Sequence, residues 1–158
     1  MEYDWKALSD AKLIRFADQI GREIDRRWSL RSRCHFRHCG DVFEYFHFRL
    51  WHEKQENLYL LLLDAQHHLI EEVLVSVGTL DASLIHAREV FAPAIEKRAA
   101  YLVLIHNHPS GIATPSSADL SMTRRLKKIS KMIGIHLLDH VIIGKNQYFS
   151  DALGRIIL

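Results

Sequence analysis

The chain has 158 residues, 48% of them apolar and 25% charged, with a formal net charge of +2. That is enough apolar material for one sizeable core, and the length fits one domain or one domain with a short helical prefix. A charge so near neutral excludes a nucleic-acid role argued from charge alone, and two cysteines exclude a disulfide framework. The longest apolar run, Leu58 to Leu63, is far short of the ~20 residues a bilayer span needs, so no membrane role is expected. The start, MEYDWKALSD, is acidic and mixed, unlike a secretory signal, and a soluble cytoplasmic protein is expected.

Trp5, Leu8, Leu13, Phe16, Ile20, Ile24 and Trp28 recur near a 3.6-residue period, which predicts an amphipathic helix or two short ones over 5–28. Ser9 and Asp10 are candidate caps for the second of these. Residues 29–40 are basic and interrupted and read as a linker, which divides the chain into a helical prefix (1–40) and a main domain (41–158). A helix over 41–51 follows, with Val42, Tyr45, Phe46 and Leu50 as its inner side.

Glu56 precedes LYLLLLD, a strand apolar throughout and so buried on both faces. Residues 65–68 make a turn, 69–77 a second strand ended by Gly78, and 89–98 a helix. The apolar run 101–105 is the central strand. A helix over 116–134 closes on Gly134. Short strands at 135–138 and 141–143 flank Asp139-His140, and 148–150 adds one more. Strands and helices in this order imply an α/β sandwich with a curved mixed sheet.

The stretch HNHPSGIATPSSAD, His106 to Asp119, follows the central strand. Side chains two apart on a strand share a face, so His106 and His108 can reach one ion. Pro109-Ser110-Gly111 opens a loop, and Asp119 returns at the start of the next helix. Two histidines, one carboxylate and a vacant position make the ligand set of a catalytic zinc. Such a site needs a proton carrier near the metal and a donor for the oxyanion. Glu56, at the mouth of a buried strand, is the candidate carrier, with Glu53, Glu71 and Glu72 as alternatives. Ser116 is the candidate donor, although Ser116-x-x-Asp119 also fits a helix capping box. Asp139 and His140 read either as support behind the ligands or as core residues with satisfied bonds.

His106-x-His108-Pro109, Pro115-Ser116-x-x-Asp119, Leu137-Leu138-Asp139-His140 with Gly144, and Tyr148-Phe149-Ser150 together resemble the RadC-like branch of the JAB/MPN (JAMM-motif) metalloproteases. Gly78-Thr79-Leu80 and Arg88-Glu89-Val90-Phe91 are similar too, so the likeness covers roughly residues 41–158. The resemblance implies a JAB/MPN-like, cytidine-deaminase-like α-β-α sandwich. It implies zinc on His106, His108 and Asp119, one ion per chain, with Glu56 as acid/base and Ser116 on the oxyanion side. It further implies an isopeptidase that detaches a ubiquitin-like modifier from a protein. The alternative, from the name of the branch, is a DNA-repair or recombination-associated protein. The prefix lacks the Gly-containing hairpins of a helix-hairpin-helix region, so nucleic acid is not the favoured partner.

Three features stand outside this reading. Cys34-His35-x-x-His38-Cys39 looks like a second zinc site, but its spacing is compressed relative to paired Cys-x2-Cys sites. Arg124, Arg125, Lys127, Lys128 and Lys131 form a basic helix face, ordinarily a solvated one. His67-His68 reads as a surface turn.

Overall fold

The computed structural model describes residues 8–30, 34–78 and 85–158, with the side chains of 25–30 excepted. The first residues of the expected N-terminal helix, part of the expected linker, and Thr79 and Leu80 lie outside the described residues. The chain divides into two compact units, Met1–Cys34 and His35–Leu158.

Among the described residues the first unit carries one helix, α1 (Asp10–Leu30). It starts at Ser9, whose carbonyl accepts from the amides of Lys12 (2.9 Å) and Leu13 (3.0 Å). Arg22 and Asp18 pair along its exposed side, one turn apart.

In the second unit, His35 forms a bridge with His68, and the amide of Phe36 donates to the carbonyl of His67 at 3.0 Å. Residues 35–40 are therefore held against the domain, and only their composition resembles a linker. Helix α2 (Cys39–Leu50) begins two residues before the expected start. The reason is Asp41, whose carboxylate accepts from the amides of Arg37 (2.7 Å) and His38 (3.1 Å) and so caps the first turn. Strands β1 (Asn57–Leu63) and β2 (Leu69–Val77), helix α3 (Ala87–Glu96), strand β3 (Tyr101–Asn107) and helix α4 (Ser117–Ile133) follow. The chain ends with β4 (His136–Ile143), β5 (Tyr148–Ser150) and β6 (Arg155–Ile157).

The six strands form one mixed sheet in the order β2-β1-β3-β4-β5-β6. Only β3 and β4 are parallel, joined through α4. Leu58, Leu60 and Leu62 of β1 and Leu102 and Leu104 of β3 face α3 and α4, packing with Val90, Phe91, Met122 and Leu126 in one core. On the other face α2 buries Val42, Phe46 and Leu50, with the Phe46 ring 5.4 Å from that of Tyr59. The result is the expected α-β-α sandwich, and β1 is buried on both faces because helices cover both.

Two expectations change. The strands anticipated at 135–138 and 141–143 are one, because Asp139 and His140 are both fully bonded inside the sheet. Asp139 accepts from the amides of His140 (2.7 Å) and Ala152 (2.9 Å) and from the Ser150 hydroxyl (2.6 Å). Buried polar groups with partners need not end a strand. The register also slips at Leu138, from Leu102↔Leu137 to Val103↔Asp139. That slip brings His140 opposite Leu104, on the α4 side of the sheet. The second change is an added edge strand, β6, which pairs antiparallel with β5.

Candidate metal centre

Strand β3 delivers the first histidine to the α4 side. Alternation puts Leu102, Leu104 and His106 on that face, and His106 is fully buried. His108 follows as the strand turns away at Pro109. Helix α4 delivers Asp119 as the third residue after its N-cap, Ser116. The Ser116 hydroxyl donates to Asp119 Oδ2 (2.6 Å), the Ser116 amide donates to the same oxygen (2.8 Å), and the Asp119 amide donates back to Ser116 Oγ (3.1 Å). This capping box holds the carboxylate rigidly.

Among the described residues, His106, His108 and Asp119 are the group whose ligand atoms all lie within 4.8 Å of one another. His106 Nε2 is 2.9 Å from His108 Nε2 and 3.5 Å from Asp119 Oδ1, and His108 Nε2 is 3.6 Å from Asp119 Oδ2. Tetrahedral ligands about 2.0–2.1 Å from a zinc lie about 3.3 Å from each other, so these separations fit such an ion with only small adjustment.

Hydrogen bonds behind the site aim the ring nitrogens. The Thr123 hydroxyl donates to the Asp119 carbonyl (2.7 Å) and so must accept from His140 Nδ1 (2.6 Å). His140 Nε2 is then a bare acceptor for His106 Nδ1–H, 2.7 Å away. This leaves the His106 Nε2 lone pair facing the site. The Nδ1–H of His108 donates to the Ile112 carbonyl at 2.8 Å, which turns its Nε2 the same way.

The electrostatics agree with that proton arrangement. Burial pushes His140 down to about 4, and burial together with the neighbouring His140 holds His106 well below the usual imidazole range. Burial also works against charge on His108. There it is outweighed by hydrogen bonds to Asp119 and the Ile112 carbonyl and by the charges of Asp119 and Glu56, so His108 is raised. Asp119 is held low despite burial, by bonds from His108 and Ser116 and by the adjacent His106. His108 therefore takes up a proton more readily than His106.

Glu56 lies immediately before β1, and its charge reaches His108. The β1–β3 pairing runs to Leu58↔His106, so Glu56 enters β1 two residues before the partner of His106. Glu53 is exposed in the preceding turn, and its charge acts on Tyr59, a side chain of the opposite face. Of the other two alternatives, Glu71 pairs with Lys97 (2.8 Å) and Glu72 with Arg49 (2.9 Å). The Ser116 hydroxyl spends its hydrogen on Asp119, so the cap and an oxyanion bond draw on the same proton. His140 stands directly behind His106, whereas Asp139 faces away, into the β4–β5 corner with Ser150 and Ala152.

Thr123 and Asn107 went unnoticed in the sequence. Thr123 lies four residues after Asp119 and so on the same helix face, a usable signal. Of the basic face, Arg125 donates to the Ile85 carbonyl (2.7 Å) and Lys127 pairs with Asp151, while Arg124, Lys128 and Lys131 are exposed. Among the described residues no helix is long and apolar enough to cross a membrane.

A central strand ending in His-x-His, with a carboxylate returned by the next helix of an α-β-α sandwich, defines a domain of the JAB class. Within that class the chain belongs to the family of RadC-like JAB domains, whose family model matches residues 36–154. It is similar to UPF0758 proteins of several bacteria. That of Chlorobium luteolum is 53% identical over 110 residues, which cover 70% of this chain and 49% of the relative. That of Pelobacter propionicus is 47% identical over 109 residues, covering 69% and 48%. That of Chlorobaculum tepidum is 42% identical over 167 aligned residues, covering 92% and 75%. The chain spans about half the length of two of these curated relatives, 48% and 49%.

Proposed function

We propose that this domain is a zinc-dependent metallopeptidase, acting as an isopeptidase that detaches a ubiquitin-like modifier from an amine on its target protein. The observation that carries the reading is the convergence of three ligand atoms within 4.8 Å, with both imidazoles tied at Nδ1 so that Nε2 faces the site. His106, His108 and Asp119 would hold the zinc, which, when bound with a position open, lowers the pKa of a water to about 7 and polarises a carbonyl. Glu56 takes the proton of the attacking water and passes it to the leaving amine. Its place two residues before Leu58, the strand partner of His106, and its charge on the His108 ring support this role over Glu53. Ser116 turns its hydroxyl from Asp119 to the oxyanion as charge develops there.

The test is a glycylglycyl peptide joined through its C-terminus to the ε-amine of lysine, with zinc measured in parallel. Glu56→Gln keeps one zinc and loses about 10²–10⁴-fold in rate, and His108→Ala loses both zinc and cleavage. Undiminished turnover by Glu56→Gln rejects the assignment.

A further inference from the structure

The residue between the two histidines has a task of its own. Alternation sends Asn107 to the opposite face of β3 from His106, where it is fully buried. Its Oδ1 accepts from the amide of Asn57 at 2.9 Å, and its Nδ2 donates to the carbonyl of Gln55 at 3.0 Å. The Gln55 carbonyl belongs to the peptide plane before the Glu56 Cα, and the Asn57 amide to the plane after it. One planar side chain thus holds both peptide planes that flank Glu56, and these fix its φ and ψ. From the other strand, the Gly78 amide donates to the Glu56 carbonyl at 2.9 Å.

The main chain of β3 does not do this work. The β1–β3 ladder stops at Leu58↔His106. The His108 amide is committed to the Ile143 carbonyl on the β4 side (3.0 Å), and Pro109 has no amide to give. The strand must leave the sheet there to form the metal loop, so a side-chain amide continues the ladder toward Glu56.

We propose that Asn107 is a positioning residue that sets the backbone of Glu56 against the metal ligands, a role that rests on the reading of Glu56 as proton carrier. Both ends of the amide are needed. Leucine has the shape and neither bond; aspartate keeps the acceptor for Asn57 and sets a carboxylate against the Gln55 carbonyl.

The experiment compares the full chain with Asn107→Leu and Asn107→Asp, each alone and combined with Glu56→Gln. Zinc content, amide hydrogen exchange at Asn57 in metal-free protein, and cleavage of the glycylglycyl-lysine isopeptide are measured. Both single variants are expected to keep one zinc. Exchange at Asn57 speeds up by about 10-fold or more in Asn107→Leu, since its acceptor is gone. Cleavage falls by about 10–100-fold, the scale of a small misplacement, and falls no further when Asn107→Leu is added to Glu56→Gln. If Asn107→Leu does not fold, Asn107→Asp carries the kinetic comparison through its lost donor. Unchanged Asn57 exchange in Asn107→Leu, an equal loss of rate with and without Glu56, or loss of zinc along with rate overturns the proposal. If Glu56→Gln cleaves as fast as the unaltered chain, the proposed function has failed, and Asn57 exchange still reports whether the clamp exists.

Discussion

Two stretches of this chain bring histidine together with further metal-binding residue types at short spacing, and the fold treats them differently. In Cys34–Cys39 the side chains of His35, His38 and Cys39 are each turned to a neighbour of their own. His35 Nδ1 accepts from Arg37 Nε (3.2 Å) and its ring lies 4.9 Å from that of His68. His38 sits at the N-cap of α2 with Nδ1 3.0 Å from Asp41, and the Cys39 thiol lies 3.9 Å from the Tyr148 hydroxyl. In His106–Asp119 every spare atom is tied back, Nδ1 of His106 to His140 and Nδ1 of His108 to Ile112, and the atoms left over converge. A metal site is thus set as much by what holds the far side of each ligand as by ligand type and spacing.

Removing a ligand tests the contrast most severely. His106→Ala or His108→Ala is expected to reduce zinc from one per chain to none after dialysis, while His38→Ala leaves it at one. Elemental analysis reads this directly. If His38→Ala also lost the zinc, the two stretches would be parts of one site.

Acid sharpens the same contrast. His106 and His140 stay neutral in the fold at a pH where the unfolded chain charges them, so the unfolded chain binds more protons and stability falls as pH drops. For His140 the window runs from 6.5 down to about 4, a loss of about 3 kcal/mol in the metal-free protein. His108, being raised, adds stability that is present below 6.5 and is lost as pH rises past its folded value, and Asp119 contributes loss only below 3.8. Denaturant unfolding at pH 7 and pH 5 measures the balance, and a midpoint that does not move contradicts the buried neutral pair. Zinc uptake should release a proton from His108, so affinity falls as pH falls.

Thr123→Val keeps shape and removes the hydroxyl between His140 and the Asp119 carbonyl. Zinc affinity is expected to fall about 10–100-fold in a chelator competition, with the ligands untouched. Unchanged affinity would mean that His140 needs no anchor. Gly144→Ala is expected to act on stability and not on the ligands. A Cβ there would lie 2.6 Å from the Gly111 carbonyl oxygen, so the metal loop must shift, at a cost on the order of 1–3 kcal/mol in thermal unfolding.

Much of this was legible in the sequence where the signal is local. An unbroken apolar run gave β1, the period-2 placement of His106 and His108 gave their shared direction, and Ser116-x-x-Asp119 announced a helix start. Asp139-His140 misled because a polar pair in an apolar run looks like a break until its partners, Ser150 and Thr123, are known, and those come from other elements. The start of α2 was obscured because its cap acts backwards, Asp41 serving amides at 37 and 38. Asn107 was illegible for the same reason as Thr123's bond to His140. Its meaning lies about fifty residues away, in the amide and carbonyl on either side of Glu56.

X-ray absorption at the zinc edge on the loaded protein tests the central claim most directly. The account predicts one zinc per chain, surrounded by nitrogen and oxygen at about 2.0–2.1 Å with the scattering pattern of two imidazoles. Sulfur at about 2.3 Å would move the ion to Cys34 and Cys39, and would contradict a centre built on His106, His108 and Asp119.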